Sequence, residues 1–368
     1  MTQKLFGHPA QNRMQSCIPF SLLLLGLVLQ VSGQAQQRIL LALSKSDHTL
    51  AMVDPANFTV IAKMPVGQDP HEVIASSDGK LAFVSIYGGG SLHELDVLDL
   101  VAHKALPSVD TRPLFGPHGL TYAGGKVWFS AEGSKAVGRY DPAANKVDWS
   151  MGTGQNRTHM IYVTDDLKKI YTTNVSSGTV SILESTLVQP GGPPPGAPPA
   201  NPSASTPPPP PPGMQPHWDW TQTVVAVGRG SEGFDVTPDG KQLWTAASDD
   251  GNVYMVDLVA KKLIGKIDAK AQGANRLEFT PDGKRALISS LRQGDLIVID
   301  VANQAVIKRI PIGHGAAGIL VDPDGSRAFV GCTGDNYVAV VDLNSMQMVN
   351  KINVGGGPDG LAWAVKPQ

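Results

Sequence analysis

The stretch from Phe329 to Asp342 reads FVGCTGDNYVAVVD and decides the fold. A short run of β-forming residues leads into a polar turn, and a second such run ends at an acidic residue. The stretch from Trp244 to Asp257, WTAASDDGNVYMVD, has the same form. Two short runs of this composition around a polar turn predict an antiparallel pair of strands.

The same 14-residue unit occurs seven times without gaps. The copies are Leu41–Asp54, Phe83–Asp96, Trp128–Asp141, Tyr171–Glu184, Trp244–Asp257, Leu287–Asp300 and Phe329–Asp342. Successive closing acids are 42, 45, 43, 73, 43 and 42 residues apart. The longest spacing contains a Pro-rich segment at 188–216, so we interpret it as one insertion within a repeat. In each repeat the acid is expected to bond the backbone of the following turn, which is a structural task.

A second element precedes each unit and completes a blade of four strands. It is a Gly-rich turn, a short apolar strand and a turn such as Asp239-Gly240, a pair that favours a two-residue hairpin turn with positive φ at both residues. We name the four strands A to D in chain order. Four-stranded units repeated about every 43 residues predict an all-β protein, a seven-bladed β-propeller of antiparallel blades. The first unit lacks strand A, and Gly355–Ala364 supplies one, so the C-terminal strand is expected to complete the first blade.

These features resemble the YVTN-repeat β-propellers, including the YncE-like exported proteins with a WD40/YVTN-like fold. The resemblance rests on the Thr-Pro-Asp-Gly-Lys turns, on runs such as AFVGCTGDNYVAVVDLNSMQMV and on the Gly-x-Gly turns before strand A. It covers nearly all of the chain from Arg38 to Lys366 apart from the insertion. It implies the fold, whereas the functions of such propellers range over lactonases, redox subunits, lyases and binding proteins.

Residues 1–35 are typical of a secretory signal peptide, which would leave residues 36–368 as the propeller. Lys4 and Arg13 precede the apolar run Ile18–Val31, and Gly33 and Ala35 suit a cleavage site. A retained anchor is the alternative, although 14 apolar residues are short for a membrane span. We therefore expect a periplasmic or secreted protein with no membrane span after signal removal. Cys332 would then be the single cysteine, without a disulfide partner.

The formal net charge of −2 becomes −4 when Lys4 and Arg13 are lost. This charge and the lack of a basic stripe argue against a nucleic-acid partner. A closed ring exposes no sheet edge, so a monomer is expected. The insertion, with six consecutive prolines at 207–212, lies in a C–D loop on the face opposite the start of strand A. It is either a tolerated surface loop or a tether or partner ligand.

Chemistry is expected at the mouth of the central channel, because the residue opening strand A in each blade should point there. Aligned by a fixed offset to the A–B turn, these positions are His71, His118, His159, Glu232, Asn275, Ala317 and Asp359. The alignment needs one deletion for His118, and Asp359 is placed by the Gly-rich turn before it. Three histidines on consecutive blades suggest a site for one transition metal, namely Cu, Zn or Fe, with His71, His118 and His159 as ligands. The alternative is a solvated ring of polar residues without a metal.

Further polar residues belong to the same face. Arg157 and Arg276 lie in or beside D–A turns and could bind a carboxylate or phosphate. Tyr87, Glu132, Asn174 and Arg292 are placed in B–C turns that rim the mouth. His314 lies earlier in its turn and is expected to be exposed.

Two functions remain open on the sequence. The first is a binding or scaffold propeller with a small molecule or protein at the channel mouth, where His71, His118, Arg157, His159, Glu232, Asn275, Arg276 and Asp359 would form the ligand site. The second is a metal-dependent lactonase, lyase or oxidoreductase that uses the histidines. The chain has no G-x-S-x-G elbow, P-loop or C-x-x-C-H motif.

Overall fold

A computed structural model describes residues 37–188 and 216–366 of the chain. These residues form seven four-stranded antiparallel sheets. We number them as blades 1 to 7 in the order in which their B strands occur along the chain. The predicted all-β, seven-bladed β-propeller is confirmed. Within the described ranges the only helical segment is a 3₁₀ turn at Gly88–Gly90.

Each blade has its strands in the order A, B, C, D from the channel outward. The A strands are β4 (Pro70–Ala75), β8 (Pro117–Ala123), β12 (Thr158–Val163), β16 (Ser231–Val236), β20 (Ala274–Phe279), β24 (Ala316–Val321) and β28 (Pro358–Val365). The B strands are β1 (Arg38–Ser44), β5 (Leu81–Ile86), β9 (Lys126–Ala131), β13 (Lys169–Asn174), β17 (Gln242–Ala247), β21 (Arg285–Ser290) and β25 (Arg327–Cys332).

The outer strands complete the blades. The C strands are β2 (Thr49–Val53), β6 (Glu94–Asp99), β10 (Ala136–Asp141), β14 (Thr179–Val188), β18 (Asn252–Asp257), β22 (Asp295–Asp300) and β26 (Tyr337–Asp342). The D strands are β3 (Val60–Pro65), β7 (Lys104–Asp110), β11 (Lys146–Gly152), β15 (His217–Ala226), β19 (Lys262–Asp268), β23 (Ala305–Pro311) and β27 (Gln347–Ile352).

The ring closes through blade 1, as the sequence predicts. Strand β28 pairs antiparallel with β1, with Leu41 opposite Ala362. The amide of Lys366 also donates to the carbonyl of Gln37 at 2.7 Å. Successive A strands contact each other around the whole ring, including β28 with β4. The first and last described segments of the propeller therefore share one sheet.

The core is divided among the blade interfaces. Among the described residues there are seven hydrophobic clusters, one between each pair of neighbouring blades. Alternate residues of a strand face opposite neighbours: Leu41 and Leu43 pack toward blade 2, whereas Leu40 and Ala42 pack toward blade 7. Each blade thus buries both faces, and burying a side chain such as Leu41 stabilises the fold by roughly 1.5–3 kcal/mol.

The A–B turns of blades 2, 4, 5, 6 and 7 differ from the predicted two-residue hairpin, whereas Gly124-Gly125 in blade 3 forms it, with φ 60° and 75°. In blade 2, Gly79 has φ 70° but Asp78 does not have a positive φ. The amide of Ser76 pairs with the carbonyl of Leu81, so the loop has four residues. The Asp78 carboxylate accepts bonds from the Ser76 hydroxyl and the Lys80 amide instead. In blade 4, Leu167 takes the place of the glycine with φ 58°.

In blade 2 the predicted 14-residue unit Phe83–Asp96 is wrong. Its B–C loop runs from 87 to 93, three residues longer than the others, and β6 ends at Asp99. Asp99, not Asp96, accepts the amides of Val101 and Ala102 in the C–D turn. Asp96 accepts the Gly67 amide and the Ser108 hydroxyl instead. The turn-bonding role holds at the five other closing aspartates, for example Asp54 and Asp342. It fails at Glu184, which lies inside β14 and pairs with Lys169 and Lys261 instead.

The predicted insertion falls between β14 and β15, the C and D strands of blade 4. These strands have 10 residues each and pair along their whole length. The insertion itself at 189–215 and the predicted signal peptide lie outside the described residues. In the described ranges no helix is both long and apolar enough to cross a membrane.

Candidate functional site

The second residue of every A strand faces one cavity at the mouth of the channel. All seven ring positions predicted from the repeat register line this cavity, which has a volume of about 410 Å³. Arg157 and Arg276 line it too, so the structure brings together all eight residues of the predicted ligand site. Lys45, Ser46, Tyr87, Leu291 and Thr333 complete the wall.

The A strands approach one another closely because a glycine follows the ring position in four blades. These glycines are Gly119, Gly233, Gly318 and Gly360. A Cβ atom at Gly119 would lie 2.6 Å from the carbonyl oxygen of His159 and 2.7 Å from the Cα of Met160. The space that glycine leaves lets the imidazoles of blades 3 and 4 lie side by side.

Two blades carry a charged residue at this glycine position, and the two charges meet across the channel. Arg276 of blade 6 forms an ion pair with Glu72 of blade 2. Both residues are only 8% exposed. Burial lowers the pKa of Arg276, but Glu72, Asp359 and Glu232 outweigh it and raise that pKa. Arg276 thus lines the cavity, with Glu72 behind it.

His71 has partners on the blade 1 side of the cavity. Its Nε2 lies 2.8 Å from the ammonium of Lys45 and 3.0 Å from Asp69 Oδ1. Its Nδ1 lies 3.8 Å from Asp359 Oδ2. The hydrogen bond with His71 lowers the pKa of Asp69, and the positive charge of Lys45 adds to this shift. Both ring nitrogens of His71 therefore have polar neighbours.

His118 and His159 are more deeply buried than His71 and have fewer hydrogen-bond partners. Their ring centroids are 3.8 Å apart, and the residues are 2% and 3% exposed. His118 Nδ1 and His159 Nε2 are buried without a hydrogen-bond partner. Burial, with the charges of His159 and His71 next in size, holds the pKa of His118 well below its usual range. His118 is thus a neutral imidazole with a free nitrogen at neutral pH.

Glu132 orients His159. Its Oε1 accepts the Nδ1 hydrogen of His159, and its Oε2 accepts the Tyr87 hydroxyl at 2.5 Å. Burial raises the pKa of Glu132, but His159, Tyr87 and Arg157 outweigh it and lower the pKa to about 2. Because Glu132 is an ionised acceptor, His159 keeps its proton on Nδ1 and presents Nε2 to the cavity.

A compact group of possible metal ligands follows from this arrangement. One ligand atom each from His118, Glu132 and His159 lie within 4.8 Å of one another, and all three residues are buried. Among the described residues this is the only such group. The sequence predicts His71 in the third place, whereas the geometry puts Glu132 there because Lys45 and Asp69 surround the His71 nitrogens.

Glu232 stands beside this group on the next blade. Its Oε2 accepts the amide of Asn275 at 2.5 Å and lies 4.0 Å from His159 Nε2. Its side chain is 18% exposed, so it reaches the cavity while keeping a fixed orientation. Among the ion pairs of the described residues, Glu232 has the carboxylate nearest to His159 Nε2.

The side chains around the cavity carry more negative than positive charge. Three cations are present, on Lys45, Arg157 and Arg276. Five carboxylates lie at or directly behind the wall, on Asp69, Glu72, Glu132, Glu232 and Asp359. With neutral histidines the local excess is two negative charges, which favours a divalent cation.

The sequence predicted only some of the B–C turn residues that line the mouth of the channel. The first residue of the B–C turn contributes Lys45, Tyr87, Leu291 and Thr333 to the cavity wall, of which only Tyr87 was expected. Glu132 lies behind the wall, bonded to Tyr87 and His159, and Arg292 is not part of the wall. Asn174 ends β13 and bonds Thr179 and Ser181, so its role is structural. Counting one position after each B strand would have found Lys45. His314 is exposed as expected, with 84% of its side chain accessible.

No family model and no curated protein matches this sequence. Solved structures do match in fold. A functionally unknown protein from Desulfotomaculum acetoxidans has a TM-score of 0.68 at 10% identity, covering 89% of this chain and 98% of its own. A candidate 6-phosphogluconolactonase from Bacteroides fragilis has a TM-score of 0.67 at 14% identity, with 90% and 99% covered. Hydrazine synthase of Kuenenia stuttgartiensis has a TM-score of 0.60 at 16% identity, with 80% and 89% covered. At these identities the likeness shows the propeller fold alone.

Proposed function

We propose that the channel mouth binds one transition-metal ion and, at that ion, a small polar molecule. The observation that carries the proposal is the pair of buried, unpartnered nitrogens, His118 Nδ1 and His159 Nε2, beside the Glu132 carboxylate. A buried polar atom without a partner costs about 1–3 kcal/mol, so one that the fold tolerates needs an explanation. A bound cation would satisfy both nitrogens at once.

The surroundings support this proposal. Neutral imidazole is the form that binds metals, and the lowered pKa of His118 keeps it neutral. A carboxylate on the far nitrogen of a ligating histidine is a recurrent feature of metal sites, and Glu132 has this place behind His159. The excess of two negative charges matches a divalent ion.

Because Glu132 is bonded to Nδ1 of His159, the ligands at the ion would be the two histidines and the Glu232 carboxylate near His159 Nε2, a set that suits zinc, copper or iron. The side of the ion that faces the cavity would stay open to a ligand, as in catalytic rather than structural metal sites. A metal ion there would supply Lewis-acid polarisation of a carbonyl or an activated water. The chain's own residues would hold the ligand and exclude bulk water.

The test is elemental analysis of the purified full chain together with calorimetric titration by zinc sulfate and copper sulfate. We expect about one equivalent of metal, with at least a hundredfold loss of affinity in His118→Ala/His159→Ala. The matched control is His314→Ala, which removes an exposed histidine on the same face and should bind metal as the wild type does. Equal affinity in the double variant and the wild type would disprove the site.

A second candidate function is hydrolysis of a lactone or ester at the same ion. It is favoured by the open cavity beside the histidine pair, where the Glu232 carboxylate lies 4.0 Å from His159 Nε2 and would take a proton from a water held at the ion. The fold likeness to a candidate 6-phosphogluconolactonase agrees with it. Opening of δ-gluconolactone, followed by proton release with and without zinc, would test it. A metal-loaded wild type no faster than His118→Ala/His159→Ala would leave the binding role alone.

A further inference from the structure

The D–A turns have one backbone position with positive φ in every blade. It lies two residues before the ring position, and its φ runs from 54° to 78° around the ring. Glycine has this place in five blades, at Gly116, Gly230, Gly273, Gly315 and Gly357. The remaining two blades have Asp69 and Arg157, both with φ 54°.

The two exceptions carry strain that glycine would avoid. A non-glycine residue in the left-handed region is disfavoured because its Cβ approaches the carbonyl oxygen. In two blades the neighbouring backbone also leaves no room for a side chain: a Cβ atom at Gly116 would lie 2.7 Å from the Cα of Gly90, and one at Gly315 would lie 2.8 Å from the Gly334 amide. Blades 2 and 4 therefore depart from the common turn in a way that admits a charged side chain.

The side chains of Asp69 and Arg157 contact residues at the two ends of the histidine row. Asp69 contacts His71 on blade 2. Arg157 reaches the other end of the histidine row, where its Nε lies 3.5 Å from Glu132 and its Nη2 lies 3.7 Å from Glu232. A strained backbone retained beside a candidate site is an observation from which a functional role can be inferred.

The contacts of Arg157 are long for an arginine beside two carboxylates. Glu132 Oε2 has a closer donor in the Tyr87 hydroxyl at 2.5 Å, and Glu232 is held by Asn275 at 2.5 Å. The Arg157 side chain is 43% exposed and forms part of the cavity wall. Its guanidinium therefore keeps donor capacity for a molecule in the cavity.

We propose that Arg157 binds an anionic group, a carboxylate, on the molecule that occupies the cavity. This inference rests on the proposed metal site, because a divalent ion removes the local excess of negative charge and leaves the mouth open to an anion. A carboxylate would then bridge the ion and the guanidinium, whose fork of N–H groups matches its two oxygens. The substrate or ligand class is thus a small carboxylic acid.

The experiment uses the full chain loaded with Co²⁺, whose visible spectrum reports both metal loading and the binding of an added anion. Sodium acetate is the probe, titrated at constant ionic strength with sodium chloride. At a Co²⁺ concentration that saturates both proteins, Arg157→Gly should bind acetate at least tenfold more weakly than the wild type. Arg157→Lys, which keeps the charge but loses the fork, should lie between the two.

The same variant gives a readout that a merely structural arginine would not give. Because glycine relieves the backbone, Arg157→Gly should raise the melting temperature by about 2 °C while it weakens acetate binding. Gln304→Gly is the matched control, since Gln304 has φ 52° in a C–D turn. It should raise the melting temperature similarly and leave acetate affinity unchanged.

The outcomes separate the two proposals. Normal Co²⁺ loading with acetate affinity within twofold of the wild type in Arg157→Gly would overturn this inference and leave the metal site standing. Absence of Co²⁺ loading in the wild type would overturn the metal site, and the inference with it. A melting temperature that falls in Arg157→Gly would show that the arginine is retained for stability.

Discussion

Arg276 and Glu72 belong to blades on opposite sides of the ring and form a buried ion pair across the channel. Removing one partner should leave the other charge buried without compensation. We expect Glu72→Gln to lower the free energy of unfolding by about 3 kcal/mol. Replacing both residues, in Glu72→Leu/Arg276→Leu, should restore most of that loss, and urea denaturation would measure both effects.

The control for the ion pair is Asp268→Asn, which breaks the exposed pair with Lys270. Exposed pairs contribute little, so no measurable change in the urea midpoint is expected. A Glu72→Gln variant as stable as this control would show that the ion pair does not stabilise the fold.

Gly119 should tolerate no side chain. In Gly119→Ala the new methyl group would lie 2.6 Å from the His159 carbonyl oxygen, so blades 3 and 4 must move apart. We expect a loss of about 1–3 kcal/mol in stability, measured by denaturant unfolding. Gly152→Ala is the matched control, because no atom lies within 4 Å of its added Cβ. Equal stability of the two variants would contradict the close packing of the A strands.

The Tyr87 hydroxyl should contribute to metal affinity through Glu132. Burial, with the hydrogen bond to Glu132 next, raises the pKa of Tyr87, so the hydroxyl stays a donor. Tyr87→Phe should weaken zinc binding about tenfold, as loss of an outer partner commonly does, and calorimetry would measure it. Tyr122→Phe removes a hydroxyl remote from the cavity and should have no effect. Unchanged affinity in Tyr87→Phe would mean that Glu132 needs no support from the tyrosine.

Glu278 should make stability depend on pH. Burial, reinforced by the charge of Asp235, raises its pKa to about 8 in the folded chain, against 4.5 as the ordinary value. The unfolded chain therefore releases this proton first, and stability falls as pH rises from about 4.5 to about 8. Glu278→Gln keeps an acceptor for the Val321 amide and should lose this part of the slope.

Urea midpoints at pH 4.5, 6 and 8 would test this prediction. The variant should match the wild type at pH 4.5 and exceed it at pH 8. Parallel curves for the two proteins across this range would show that Glu278 ionises normally in the folded state.

The sequence determined the ring positions well because a repeated fold puts the same residue number of each strand in the same place. An offset from the A–B turn, with one deletion for His118, was enough to place His71, His118 and His159 on one cavity wall. The same logic failed for the B–C loop of blade 2, where Asp96 and Asp99 both end an alternating run. Only the pairing of β5 with β6 shows that the loop is three residues longer.

What the sequence could not show are contacts between parts of the chain that no local pattern links. Glu72 and Arg276 are 204 residues apart, and each reads as an ordinary charged residue of a strand. Glu132 was expected on the rim, but its bond to His159 depends on how blades 3 and 4 pack. The metal-ligand group therefore changed by one member, with Glu132 in the place expected for His71.

The pairing of β28 with β1 also has a consequence for how the chain folds. Blades 2 to 7 are each built from one continuous stretch, whereas blade 1 joins residues separated by almost the entire propeller. Contacts of such long sequence separation form slowly. During synthesis β1 is made first and keeps an unpaired edge until the last residues arrive, so this edge is the site most exposed to misassembly or aggregation.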